Sequence, residues 1–408
     1  MGGPPLDDDP MTIATPSNPI TAARLRRARA WRRARAAAAV AAWTVLFLAV
    51  VDVSLNLAFP PPPPNVKPER VPRYGIRAYF NYGRSTEGKL ADMVRPTEAA
   101  GAPLVPIGWV EHGAATPNRM GPNRGGVPRV RVSVFGMSFS NHITRVMSEI
   151  DPTVAVAQYA GPSAPPNHTF AMYRQVRRMG PAAPPADVVV YGILASSVKG
   201  MTTLTGLTWL FESPAPYCYP RYTLDGAGQL VERWPTLRTE AEFRAALADP
   251  TKMAAFRADL SANDRFYDPF CFRGSLLDRS ALVRMARRAY ADHHANTLSA
   301  KIDRPQGGFD PDDPDIGPPL RAMCREFAAT ARADGRLPIV LLMQDQGSRD
   351  DLYQLLGPSL QQAGVPFVST HELVPTSDRN NFIPDGHFTR AADERVARVL
   401  LAQIDAGR

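Results

Sequence analysis

Cysteine is almost absent: the 408 residues carry 3, Cys218, Cys271 and Cys324. Their spacing does not suggest a zinc site. Histidine is also sparse, at 7, and the adjacent pair His293-His294 lacks a third ligand at metal spacing. A solvated helix face is the better reading for that pair. No stripe of basic residues interleaved with aromatics is present, and no zinc-finger spacing. The formal charge of +8 therefore does not imply nucleic acid. No internal repeat is found, which excludes solenoids and propellers.

One long uncharged run is present. Ala36 to Val51 is almost wholly apolar, and continuing to Phe59 adds Asp52, Ser54 and Asn56 as polar positions. A bilayer needs ~20 residues at 1.5 Å rise, so residues 36–59 are long enough to span one. Arg24, Arg26, Arg27, Arg29, Arg32, Arg33 and Arg35 precede the run and account for much of the charge excess; Pro60 to Pro64 follow it. By the positive-inside rule the arginines stay cytoplasmic and everything beyond Phe59 lies outside. The run is longer than a signal-peptide core, and no small-x-small cleavage site follows before the prolines, which favours an uncleaved anchor.

Four segments follow. Residues 1–35 form a basic cytoplasmic tail, Pro-, Asp- and Gly-rich and disordered over 1–20. Residues 36–59 are the transmembrane helix. Residues 60–127 hold a polyproline stalk to Pro72, an amphipathic lead-in over 73–98 and a loop over 111–128. Residues 128–408 form one large domain with a largely helical insertion at about 198–318. A hydrophobic content of 44% supports a real core. Outside the cytoplasm a disulfide is permitted, and both a Cys218–Cys271 bridge and buried free thiols remain open.

In the large domain, strands at Arg129–Phe135, Thr153–Ala160, Asp187–Leu194, Pro338–Met343 and Pro366–Ser369 alternate with helices at Asn141–Glu149, Phe170–Met179, Leu320–Ala333, Asp350–Ala363 and Thr389–Ile404. Asp187–Leu194 is nearly continuous in apolar residues, as in a parallel sheet covered on both faces. The alternation predicts an α/β fold with a doubly wound parallel sheet and functional groups beyond the carboxyl ends of its strands.

Two short motifs carry chemistry. Ser138 lies in the turn Gly136-Met137-Ser138-Phe139-Ser140, just past a strand. Far downstream comes Asp385-Gly386-His387. In an extended segment residues two apart point the same way, so Asp385 can orient His387 as general base for a Ser138 nucleophile. The structural alternatives are that Ser138 or Ser140 caps a helix, and that Pro384-Asp385-Gly386 is a turn with a capping residue.

Gly136–Ser140, Gly161, Gly192 and the block Phe382–Thr389 before a final helix together resemble the SGNH/GDSL hydrolase family over roughly residues 128–408. The resemblance implies a flavodoxin-like three-layer α/β/α fold and a Ser138–His387–Asp385 triad. It also implies an oxyanion hole from the Ser138 and Gly161 N–H groups. Two departures stand out. Met137 replaces the family's aspartate. After Gly192 the chain offers Ser196 and Ser197 where the family has asparagine: either one of these hydroxyls donates in its place, as in a divergent subfamily, or catalysis is weakened.

The expected activity is that of a membrane-anchored esterase or O-acyltransferase. It would act outside the cytoplasm (periplasm or cell surface) on acyl esters of envelope polysaccharide or lipid. No metal or cofactor is expected; a membrane acyltransferase is an expected partner if a sugar is the acceptor. The rival expectation is a decayed fold of the same kind that serves envelope assembly or glycan binding. Elsewhere, His142 reads as a surface or groove residue and Asn167-His168-Thr169 as a chance glycosylation sequon. Trp209, Phe211, Tyr217, Tyr219 and Tyr222 read as core or as a sugar-binding groove.

Overall fold

The computed structural model describes residues 19–59, 80–105, 107–121, 126–302 and 308–408. The expected disorder over 1–18 and the polyproline stalk to Pro72 lie outside the described residues. So do parts of the lead-in (73–79), the loop (122–125) and the insertion (303–307). The chain divides near Pro60 into two compact units.

The first unit is one helix, α1 (Pro19–Ala58). Within it Arg26–Ala58 is long and apolar enough to cross a membrane, its most apolar 18 residues having a mean hydropathy of 2.2. Its few polar side chains are satisfied along the helix. The Thr44 and Ser54 hydroxyls donate to the carbonyls of Val40 and Val50, and the Asn56 amide donates to Asp52 O at 2.9 Å. The expectation of a disordered tail is corrected from Pro19 onward. Alanine and arginine are strong helix formers, and an existing helix extends at little cost.

The second unit is built on a mostly parallel sheet of β1 (Asn118–Met120), β2 (Val130–Gly136), β3 (Val154–Ala160), β4 (Val188–Leu194), β8 (Leu337–Met343) and β9 (Phe367–Ser369). The strand order is β1-β3-β2-β4-β8-β9. The edge strand β1 runs antiparallel to β3, and the other pairings are parallel. Ranked along the chain, the parallel strands run 2-1-3-4-5, a doubly wound order whose direction reverses between β2 and β4.

The helices of the framework are α2 (Thr86–Ala100), α3 (Val110–Ala115), α4 (Ser138–Ile150) and α5 (Pro166–Arg178). The insertion carries α6 (Glu240–Leu247), α7 (Pro250–Asn263) and α8 (Ala281–Ile302). After it come α9 (Gly317–Ala333), α10 (Asp351–Gln362) and α11 (Arg390–Ala406). Period-two alternation sorts the strands between two cores. Val132, Val134, Val190, Ile339 and Leu341 face Ile143 and Met147 of α4 and Val396 and Leu400 of α11. Phe135, Tyr191, Val340 and Leu342 face Phe170 and Tyr173 of α5, Phe327 of α9 and Leu356 of α10. The result is three layers.

Two expectations are corrected. Residues 111–128 are not all loop, since they include most of α3 and all of β1. Elements this short leave no periodic signal. The insertion is helical over α6–α8 but also holds β5 (Ala215–Cys218), β6 (Arg221–Leu224) and β7 (Leu230–Arg233). The β6–β7 hairpin turns at Asp225, whose Oδ1 accepts the N–H groups of Ala227 and Gln229.

A third core joins the insertion to the lead-in: Leu90 and Trp109 pack with Tyr217, Phe243, Phe256 and Leu260. Here Lys89 is buried, donating to Tyr82 O at 2.8 Å and to Phe211 O. Burial holds its amine well below the ordinary value.

Candidate active site

The β2–α4 junction presents the candidate nucleophile. Met137, the residue before α4, is buried and extended (φ −132, ψ −167) and makes no side-chain cap. Ser138 is therefore the first helical residue, and its hydroxyl is not spent on capping. Ser140 is not a cap either. It is fully buried, and a Cβ on Gly136 or Gly192 would come within 2.2 Å of its Oγ. These two glycines let the first turn of α4 press onto the ends of β2 and β4.

His387 arrives on a tight hairpin. Phe382 and Phe388 form an antiparallel bridge, and Ile383 N–H donates to His387 O at 2.8 Å. Gly386 sits at φ +88, a left-handed conformation that favours glycine. Asp385 and His387 are thus joined through a turn, which corrects the expected extended segment. The carboxylate still reaches the ring: Asp385 Oδ1 lies 3.0 Å from His387 Nδ1 and also accepts the His387 backbone N–H at 3.1 Å. The α11 cap is Thr389, not Asp385. The backbone bond from His387, then its ring, hold the Asp385 carboxyl below its ordinary range.

The two motifs meet. His387 Nε2 lies 2.7 Å from Ser138 Oγ. With Nδ1–H pointed at Asp385, Nε2 carries the lone pair that can take the serine proton. Phe139 stacks on the His387 ring at 4.7 Å, interplanar 28°, and meets Phe388 edge-on at 4.9 Å.

His142, read from sequence as a surface or groove residue, lies with its ring 4.9 Å from that of His387. Its position one turn after Ser138 was the available signal. Burial lowers its pKa, and the like charges of His387 and Arg145 lower it further.

No family model, no curated protein and no solved structure matches this chain. Function must be read from the site itself.

The remaining expected site residues fare differently. Gly161 leaves β3 beside the end of β2, since Ala160 and Gly136 are in register. A Cβ there would meet His168 Cε1 at 2.8 Å, so glycine is sterically required. The next turn holds Ser163 at φ +53, an uncommon conformation for serine. His168 is fully buried, its Nε2–H donating to Gly108 O at 2.7 Å, and burial pushes its pKa down to about 4. Asn167 is equally buried, with its amide on Pro220 O at 2.8 Å, so the sequon is inaccessible in the fold.

Ser197 is corrected as an oxyanion donor. Residues Ala195–Thr202 form a 3-10 helix, and the Ser197 hydroxyl is spent on Leu194 O at 2.8 Å. Ser196 instead lines a cavity of about 290 Å³ together with Lys199, Phe309, Ser348, Arg349 and Asp351, beyond the ends of β4 and β8. Neither Ser138 nor His387 belongs to its lining.

Tyr217, Tyr219 and Tyr222 are buried core residues, not a groove. Trp209 Nε1 donates to Tyr219 Oη at 3.1 Å. The cysteines are free and buried, which resolves the question of a Cys218–Cys271 bridge. Burial pushes all three thiols up to about 12.

Proposed function

We propose that the second unit is a serine acyl-transfer enzyme. In this reading it is an SGNH-like esterase or O-acyltransferase on a flavodoxin-like fold, with α1 as its anchor. The arginines before the apolar run argue for a cytoplasmic N-terminus, which would put the site outside, facing acyl esters of envelope glycans or lipids. The observation that carries the proposal is the continuous relay from Ser138 Oγ through both His387 nitrogens to Asp385, at 2.7 and 3.0 Å.

The reaction would run in two halves. Ser138 Oγ attacks the ester carbonyl while His387 Nε2 takes its proton. Asp385 stabilises the imidazolium. The tetrahedral oxyanion falls to backbone N–H groups: Ser138 at the start of α4, helped by the helix dipole, and Gly161. His387 then protonates the departing alkoxide, leaving acyl-Ser138. In the second half His387 deprotonates water, giving hydrolysis, or a sugar hydroxyl, giving acyl transfer. A membrane acyltransferase partner would supply the acyl group in the second case. No step calls for a metal or organic cofactor.

A fluorophosphonate probe on the detergent-solubilised full chain tests this. Labelling at Ser138 that is lost in both Ser138→Ala and His387→Ala supports an activated serine. A folded chain that stays unlabelled sinks the proposal. One observation favours a second reading, a non-catalytic glycan-binding protein. The Ser197 hydroxyl is tied to its own turn, leaving one oxyanion donor fewer. Glycan binding by an unlabelled chain would support that reading.

A further inference from the structure

The turn at Leu276–Arg279 exposes an apolar patch on the second unit. Leu276 is 78% exposed and Leu277 52%. Arg287 bonds both Asp278 of this turn and the carbonyl of Phe270, which is 39% exposed, and Tyr290 beside Phe270 is 40% exposed. Phe270 and Tyr290 touch, their rings 5.6 Å apart. Single exposed leucines are ordinary, but a clustered apolar patch marks a contact surface.

The leucines are held out rigidly. Ser275 and Asp278 close a capping box over the turn. Asp278 Oδ1 accepts Arg287 Nη1 at 2.5 Å and Ser85 N–H at 2.8 Å, and Asp278 Oδ2 accepts the Ser85 hydroxyl at 2.7 Å. Arg287 is buried and donates also to Phe270 O at 2.8 Å. The turn is thus pinned from below while its apolar tips face outward.

Two features identify the partner. Arg273 and Arg279 flank the leucines, are exposed, and make no ion pair among the described residues, whereas the Asp278 charge is consumed by Arg287. A pair of apolar tips collared by free cations suits anionic headgroups over an acyl layer. The second feature is where the chain enters. Ser85 bonds Asp278, Arg287 donates to Gly83 O at 3.2 Å, and the Gly83 backbone lies against that of Arg284 with no room for a Cβ. Only residues 60–79 separate this entry from α1, an extended reach on the order of 60–70 Å. A tether this short keeps the bilayer at high effective concentration near the entry, so weak contacts suffice.

We propose that this patch docks the second unit on the anionic bilayer that α1 crosses, with Leu276 and Leu277 entering the headgroup region. The inference rests on α1 as a membrane span and is independent of the triad.

The test places an environment-sensitive dye on Leu277→Cys in the full chain. The protein is reconstituted in nanodiscs of phosphatidylcholine and phosphatidylglycerol containing spin-labelled lipid, with Val399→Cys on α11 as reference. The expected result is a blue-shifted dye at 277 quenched by the spin label and an unshifted, unquenched dye at 399. Adding Arg273→Gln and Arg279→Gln should cut the quenching at 277. A dye at 277 as polar and unquenched as that at 399 overturns the proposal. A blue shift without quenching overturns it too, since protein and not lipid then covers the patch. Failure of the full chain to enter nanodiscs has the same consequence.

Discussion

Asp385 accepts both the backbone N–H and the ring of His387, so it fixes where the ring sits and which tautomer it holds. Asp385→Asn keeps the shape but can turn its N–H toward Nδ1, forcing the wrong tautomer. With p-nitrophenyl acetate as substrate, kcat/KM should fall ~10²–10⁴-fold, with KM little changed. An unchanged kcat would show that the carboxylate is not in the relay. His142 poses a finer question. In the proposed reaction the His387 imidazolium would form with the His142 ring 4.9 Å away. A fixed cation there disfavours the imidazolium. His142→Arg should therefore move the acid limb of kcat/KM down by ~0.5–1 pH unit and lower the plateau. His142→Gln should do neither to a comparable extent. Identical profiles for the two variants would reduce His142 to a packing residue.

At the scale of elements, the strands and helices of the sheet were legible because burial on two faces writes itself as apolar runs, as in Val188–Leu194. Ser138 and His387 could be paired from order and flanking elements alone. The Pro384-Asp385-Gly386 turn was legible as the alternative to an extended segment; that the turn, with Gly386 at φ +88, still brings the Asp385 carboxylate to the His387 ring was not. Ser197 was misassigned for a related reason: a 3-10 turn offers serine a carbonyl three residues back.

The contact between α4 and α11 hides another feature that no local pattern reveals, the buried Asp393. Its Oδ1 has no hydrogen-bond partner among the described residues. Burial raises its pKa from 3.8 to about 7, against the pull of Arg145 and Arg390. A carboxyl with a raised folded pKa contributes fully below its unfolded value. That contribution is lost as pH climbs from about 4 through about 7. Asp393→Asn should match the wild type in stability below pH 4 and exceed it by roughly 1–3 kcal/mol at pH 8. Denaturant midpoints at both pH values check the sign. His168, held down to about 4, acts in the opposite direction, weakening the fold as pH falls from 6.5, and is common to both proteins.

On the scale of the whole molecule, the insertion and the lead-in form one assembly that sequence reading kept apart. They are joined by the apolar third core and by a polar cluster whose members are distant in the chain, so no local periodicity links them. Ser85 and Gly83 on one side meet Asp278 and Arg287 on the other, with Arg287 almost wholly buried. Burial alone would raise the Asp278 carboxyl, but the Ser85 bonds and the Arg287 charge bring it below its ordinary range, so it is ionised in the fold. Removing one member of such a pair strands the other in a dry site, at a cost of about 3–5 kcal/mol. Asp278→Ala should therefore loosen α2 and the start of α8 together. Hydrogen exchange on the full chain should show faster exchange over 83–100 and 276–290, while α4 and β2 keep their protection. Loss of protection confined to 276–279 would mean the lead-in is held by its apolar contacts, Leu90 and Trp109 in the third core, and not by the buried pair.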